Sequence, residues 1–543
     1  MADVSLAIAE FRKHIVPWVF AHFPLFLLPL LCLWVYFPSL SNTFVMDDTV
    51  LVVGNPYIKS WKYLPQMLTG DVWNVWERHN YWRPVFSISL ALDYSLWGLD
   101  PLGFHLTNIL LHAINTALLY SLGKKLQDIK FALFASLLFA LHPIQAHAVN
   151  VISIRGDLLA AFFTLLSLLA FFARKTAPFV IALLFALLSK ETSMVFPLAL
   201  LFAWILIRRD HPGREVTLAF AILGIYLVIR LFLAFSFSLP PSIFSYHASW
   251  DIRWLLAFKV LALYFLAIFN LFQIPHPFWT VELPASLLDP YVMIGVSIFG
   301  FLLGGIWMGW KRSPLFAFGL AWFLIYFLPI SNLKELNQTM AEHWLYIPMI
   351  GISLAFGTAL KAPFIPLHGG HLVRVGVRAG LVVFLIFAAL IVREKTKIYQ
   401  DDETFLLAAI RANPQVAGLY RILGSTYLAR QDIPRAKEFY AKALALDPGD
   451  FLANYRIGFL LHRAGQDDEA KLYLSKVVQY HPARLPEILS VADAWEMLGD
   501  RQKALFFYRK AFGLNPWSAY IRERVAALEN SLRHGDSSPS SAP

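Results

Sequence analysis

Residues 16–48 read VPWVFAHFPLFLLPLLCLWVYFPSLSNTFVMDD. From Val16 to Tyr36 there is no Asp, Glu, Lys or Arg, and about 20 apolar residues suffice for a helix to cross a bilayer. Residues 1–12 lack an apolar region ending in a small-residue cleavage site, so the run reads as a span rather than a secretory signal. Two adjacent carboxylates, Asp47 and Asp48, follow soon after it. The stretch therefore sets two expectations, a membrane protein and an unusual acidic feature at one membrane face.

Composition agrees with the first. Hydrophobic residues make up 58% of the 543 and charged residues 15%, where soluble domains run about 45–50% and about 25%. Mean hydropathy is +0.56. These values exclude a soluble enzyme, a disordered chain and a fibrous repeat. The 46 Phe and 17 Trp fit aromatic belts at bilayer interfaces. The single cysteine, Cys32, lies in the first span, so no intrachain disulfide exists. The net charge of +10 sits largely in short loops between apolar runs, which points to membrane orientation and away from nucleic acid.

Further apolar runs lie near 104–123, 131–149, 157–173, 177–189, 193–207, 216–235, 254–272, 288–309, 314–331, 344–360 and 377–393. Basic residues cluster before or between them: Arg12 and Lys13, then Lys124, Lys125 and Lys130, Arg174 and Lys175, Arg208, Arg209 and Arg214, Lys311 and Arg312, and Lys361, Arg374 and Arg378. All of these are assigned to the cytosol. One run must then fail to cross, and 254–272 is chosen because Lys259 sits inside it and a mid-bilayer lysine is costly. About eleven spans follow, with the N-terminus inside and the C-terminus outside. Residues 83–98, apolar but holding Arg83 and Asp93, read as an interfacial helix in the largest outer loop.

After Arg393 a repeat appears. Gly424 and Gly458 are spaced 34 residues apart, as are Ala436, Ala470 and Ala504, and Pro414, Pro448, Pro482 and Pro516. That period, with a small residue in each helix and a closing proline, is the tetratricopeptide signature. The expected division is a membrane domain over 1–395 and a repeat domain over 400–532. Full repeats fall at about 417–450, 451–484 and 485–518, between a partial repeat and a capping helix, with a disordered tail over 533–543. The fold class is all-α, a polytopic helical bundle followed by an α-solenoid.

Chemistry concentrates at predicted outer ends of helices. Asp47 and Asp48 are costly side by side unless something binds there. Such a carboxylate suits a general base for an acceptor hydroxyl, or a ligand of a divalent cation, which is not favoured. The plain alternative is a loop cap. His105, Asn108 and His112 share one helix face. Arg83, His142, His147, Arg155, Asp157, Lys190, Glu191, Glu342 and His343 complete an expected outer-leaflet pocket. Each histidine alone reads more simply as a helix–helix hydrogen bond. Arg230, Arg253 and Lys259 are candidate cations for a lipid phosphate.

The segments VMDD, YWRP, FHLTNILLH, FALHP, IRGDLL, SKE at 189–191, AEHWLYIP at 341–348 and DDETF at 401–405 together resemble the TMTC family of transmembrane and tetratricopeptide-repeat protein O-mannosyltransferases. These belong to the GT-C class of glycosyltransferases. The resemblance covers roughly residues 17–520. It implies an acidic residue of the first outer loop as general base, a polyprenyl- or dolichyl-phosphate sugar as donor, and outward-facing repeats. Two departures stand out. The chain has His147 where the family usually has Glu after His-Pro, and His343 where it usually has Arg after Ala-Glu, so mannose is not assumed.

The reading is an inverting membrane glycosyltransferase acting on a hydroxyl, of the Ser or Thr of a protein, on the periplasmic or lumenal face, with acceptor or partner held in the repeat groove. No cofactor beyond the lipid-linked donor is called for. The alternatives are a non-catalytic repeat scaffold for envelope assembly and a lipid-linked oligosaccharide polymerase or ligase. The cysteine-free outer domain favours a bacterial inner membrane over the endoplasmic reticulum.

Overall fold

A computed structural model describes residues 16–72, 81–208, 213–235, 248–269, 281–336, 338–359, 371–482, 485–516 and 518–534. The expectations placed on Arg12, Lys13, Arg209, Lys361 and the tail from 535 onward lie outside the described residues. The described residues are helical, with no strand among them. They form two compact units, residues 1–405 and 406–543.

In the first unit a helix stands at each apolar run read from the sequence. Among the described residues seven are long and apolar enough to cross a membrane, or eight if one bent pair counts as a span. Thr176–Ser189, Pro314–Ile330 and Pro348–Thr358 are shorter apolar helices. The bent pair is Ile129–Leu141 with Pro143–Asn150, turning by 50° at the break. His142 makes the break orderly. It caps the next turn by accepting from Ile144 N–H at 3.2 Å, and Pro143 has no N–H to lose there.

The run 254–272 is the one expected not to cross. Trp250–Phe269 is one continuous helix that meets the length and composition of a span. The argument against it was Lys259, but that ammonium donates to Asp289 Oδ2 at 2.8 Å across to the start of the helix Pro290–Arg312. A paired lysine loses most of the penalty of an isolated one.

The bundle core is apolar and closely packed, with Trp322, Tyr264 and Tyr346 fully buried. Helices Pro314–Phe327 and Pro348–Ala359 touch through Gly319 and Gly351. A Cβ on Gly319 would lie 2.6 Å from the Gly351 carbonyl oxygen, the close backbone approach that small residues give membrane helices.

The second unit stacks helix pairs from Ala417–Ala429 to Ala519–His534. Its period shows in the turns as well as the helices. Gln431, Gly465 and Gly499 have φ of 62°, 73° and 86°, one left-handed residue closing the first helix of each repeat. Asp432, Asp450 and Asp500 cap the helices that follow them. Asp493 ties adjacent repeats, accepting from the hydroxyls of Tyr455, at 2.7 Å, and Tyr508.

Candidate functional site

The acidic loop is held from three sides. Thr43 N–H donates to the Gln400 carbonyl at 2.9 Å and Asn42 Nδ2 to the Thr396 carbonyl at 3.3 Å. Met46 takes φ 52°, a left-handed conformation costly for a side chain with a Cβ, and its N–H donates to Asp402 Oδ1 at 2.7 Å. Asp48 then turns inward and is fully buried. Its Oδ1 accepts from Ser153 N–H at 2.6 Å, and its Oδ2 from Val45 N–H at 3.2 Å and Ile152 N–H at 3.3 Å. Burial pushes the Asp48 carboxyl up to about 7, against the opposing pull of those N–H donors.

Asp47 faces the other way. It is exposed, yet crowded on most sides by protein, and that desolvation pushes its carboxyl up to about 6. The adjacent acids are therefore divided. Asp48 anchors the loop and Asp47 is presented by it. The pair does not fit a divalent cation, because the Asp48 oxygens are taken by N–H donors. No group of three His, Cys, Asp or Glu suited to a metal occurs among the described residues.

Several expected pocket residues are bonded to neighbouring elements. His105 contacts Ser39 Oγ at 3.3 Å and the Thr43 carbonyl at 3.4 Å. His142 Nε2 bonds the Ile268 carbonyl at 2.9 Å. His112 bridges Tyr346 OH at 2.8 Å and the Ala140 carbonyl at 3.2 Å. Arg155 is fully buried: Nε donates to Asn108 Oδ1 at 2.7 Å, Nη2 to the Phe104 carbonyl at 3.0 Å, and the guanidinium pairs with Asp93 at 2.6 Å. Asn108 in turn donates to the Val149 and Val151 carbonyls. Each of these three rings uses both nitrogens in hydrogen bonds within the protein, His142 Nδ1 accepting from Ile144 N–H and the other nitrogens bonding oxygens. Asp93 and Arg155 account for charge in the apolar segment Pro84–Trp97.

A charged network remains. Arg83 grips Glu191 with two bonds, Nε to Oε2 at 2.9 Å and Nη2 to Oε1 at 2.5 Å, and Lys190 pairs with Asp157 at 2.5 Å. Arg230 donates to Tyr226 OH at 2.8 Å and lies within electrostatic reach of Glu191. His343 lies within reach of Lys190 and Arg83 and meets His147 edge to face, ring centroids 5.0 Å apart. Burial and those neighbouring charges push the His343 imidazole well below its ordinary value. Tyr399 stacks on His147 at 5.6 Å. Glu342 is buried, which raises its carboxyl, with Lys395 pulling the other way.

Two of the three expected phosphate cations meet carboxylates in the structure. Arg253 pairs with Glu335 at 2.6 Å and Lys259 with Asp289 at 2.8 Å, so neither offers an uncompensated charge. Sequence reasoning passed over Asp402, Tyr399 and Lys395. Asp402 and Tyr399 lie in or beside the DDETF motif. Lys395 is camouflaged in the charged run Arg393–Lys397.

Fold and site together define an integral membrane protein, multi-pass and all-helical, with one polar pole and a C-terminal tetratricopeptide-repeat unit. The tetratricopeptide-repeat family profile matches residues 427–492. In sequence the chain is similar to protein O-mannosyl-transferases: F38B6.6 of Caenorhabditis elegans, 27% identical over 60% of this chain and 49% of the relative, and human TMTC3, 23% identical over 80% and 53%. A shorter stretch is 35% identical to human TMTC2, over 25% of this chain and 17% of the relative. The chain thus spans about half the length, at most, of these curated relatives. Among solved structures, ArnT from Cupriavidus metallidurans bound to undecaprenyl phosphate is 17% identical with a TM-score of 0.37, covering 84% of this chain and 80% of that one.

Proposed function

We propose that this chain is a membrane glycosyltransferase that moves a sugar from a polyprenyl-phosphate-linked donor to the hydroxyl of a protein acceptor. The observation that carries the reading is the division of the acidic pair. One carboxylate is locked inward as an anchor. The other is left exposed on a strained, three-point-held loop, with its carboxyl raised to about 6. A base near the working pH transfers protons best. The names of the relatives supply the reaction class, and the two histidine departures leave the hexose open.

In the reaction the acceptor oxygen bonds to the anomeric carbon as the bond from that carbon to the phosphate oxygen breaks. Asp47 takes the hydroxyl proton, the bonding pair leaves on the phosphate, and the anomeric centre inverts. Arg83, Glu191, Lys190, Asp157 and Arg230 form a linked charged network that would line the donor side. On this reading the repeats share the face of the acidic loop and would receive the acceptor.

The test is transfer in reconstituted membranes from polyprenyl-phosphate hexoses to a Ser/Thr peptide. Transfer by the native chain that disappears in Asp47→Asn supports the reading. Full transfer by that variant refutes Asp47 as base, and no transfer from any such donor favours the scaffold.

A further inference from the structure

Lys395 sits near the end of the helix His371–Ile398. Its neighbours behave as helix-end cations do. Lys397 is exposed and pairs with Glu394 at 2.7 Å, and Arg393 donates to the Trp34 carbonyl at 2.7 Å. Lys395 instead turns inward and is 7% exposed. Arg83, Arg155, Lys190, Arg253 and Lys259 all meet a carboxylate within 2.8 Å. Among the described residues Lys395 makes no such pair and no hydrogen bond. Its acid within electrostatic reach, Glu342, stays beyond ion-pair distance. A charge held this far inside a protein without a partner is unfavourable.

Orphaned polar atoms gather on the elements packed around it. Gln145 is fully buried with neither its Nε2 nor its Oε1 bonded. His147, within electrostatic reach of Lys395, has an unpartnered Nδ1. Tyr399, just past the end of the helix and stacked on His147, has an unpartnered hydroxyl, and so does Tyr36. Glu342 has an unpartnered Oε2. More than about nine in ten buried polar groups in folded proteins are satisfied. Such a concentration beside an uncompensated cation marks a place for a polar anionic ligand.

We propose that Lys395 binds a phosphate group, and, resting on the function proposed above, that this is the phosphate of the lipid-linked sugar donor. The Gln145 amide N–H and the Tyr399 hydroxyl are donors suited to the remaining phosphate oxygens. Glu342 cannot face a phosphate, but it can accept from sugar hydroxyls, which explains an acid held near Lys395 without closing on it.

The test measures binding of a short-chain polyprenyl phosphate, which carries no sugar, to the full chain in nanodiscs, with inorganic phosphate as a second probe. Lys395→Met should bind polyprenyl phosphate roughly 10- to 100-fold more weakly, the usual scale for a charge-assisted hydrogen bond. Lys395→Arg should retain most of the affinity and Lys397→Ala all of it. The apo melting temperature of Lys395→Met should hold or rise, because a buried unpaired charge is removed; Lys395→Gln is the second variant should the first fail to fold. Native affinity in both neutral variants overturns Lys395 and leaves the donor class standing. No polyprenyl phosphate binding by the native chain overturns the lipid-donor reading. Inorganic phosphate that then binds in a Lys395-dependent way keeps the anion site alone.

Discussion

Asp47→Asn and Asp48→Asn should fail in opposite ways. Asparagine keeps the shape of aspartate but has one acceptor oxygen and a donor amide. At position 48 the oxygen can keep only one side of the anchor, either Ser153 N–H or the Val45 and Ile152 N–H pair. Where it keeps Ser153, the new amide points donors at two buried N–H groups. Each unmet buried donor costs about 1–3 kcal/mol, so roughly 2–6 kcal/mol is the expected loss. At Asp47 the amide removes a charge that its crowded surroundings disfavour, so stability should hold or rise while turnover falls by about 10²–10⁴-fold. The pH profile separates the two further. A general base works only as carboxylate. With the Asp47 carboxyl pushed up to about 6, turnover should fall tenfold per unit below that pH, where an ordinary aspartate holds to about 4. Residual activity of Asp48→Asn should keep that acid limb. Denaturant unfolding in detergent and initial rates on the same preparations decide it. Native stability in Asp48→Asn together with native turnover in Asp47→Asn would falsify the division of labour.

Two smaller tests address the supports. Asp402→Ala frees the Met46 N–H that holds the strained loop residue; turnover should drop by up to about 10²-fold through misplacement of Asp47, with polyprenyl phosphate affinity unchanged, and an unchanged rate would show that the loop stands without this bond. Gln431→Gly relieves the one non-glycine among the three left-handed repeat turns and should stabilise the repeats by up to about 1 kcal/mol; a lower melting temperature would contradict the strain.

The repeats were legible because their packing is local and periodic. Gly424 leaves room for Tyr440 and Gly458 for Leu474, the same contact 34 residues on, where a Cβ would come within 2.9 and 2.7 Å. The membrane helices were legible from hydropathy alone. Pairing between distant residues was not. Asp47 and Asp48 look equivalent in VMDD, and only N–H groups more than 100 residues away at Ile152 and Ser153 separate them. Lys259 looked impossible inside a span until Asp289 supplied its partner, 30 residues later. Arg155 and His112 looked like pocket lining because burial and partner saturation are tertiary properties. Lys395 was hidden by the opposite error, since a basic helix end normally points to water.

The two departures from the family pattern occupy one place. His147 and His343 meet edge to face, so a glutamate and an arginine at these positions would face each other as an ion pair. Both arrangements are neutral, and the exchange conserves charge while removing a carboxylate from beside Lys395. A single reversal should expose the difference. In His147→Glu the new carboxylate has Lys395 within electrostatic reach and, with no guanidinium at 343, should pair with it. Pairing takes the ammonium from the phosphate, and affinity for polyprenyl phosphate should fall to the level of Lys395→Met. Adding His343→Arg offers that carboxylate a bidentate partner in contact range, so Lys395 is released and affinity should return toward native. The same nanodisc binding assay reads all three variants. Equal affinity in the single and double variants would mean that position 147 does not control the charge of Lys395, and the compensated exchange would be an accident of packing.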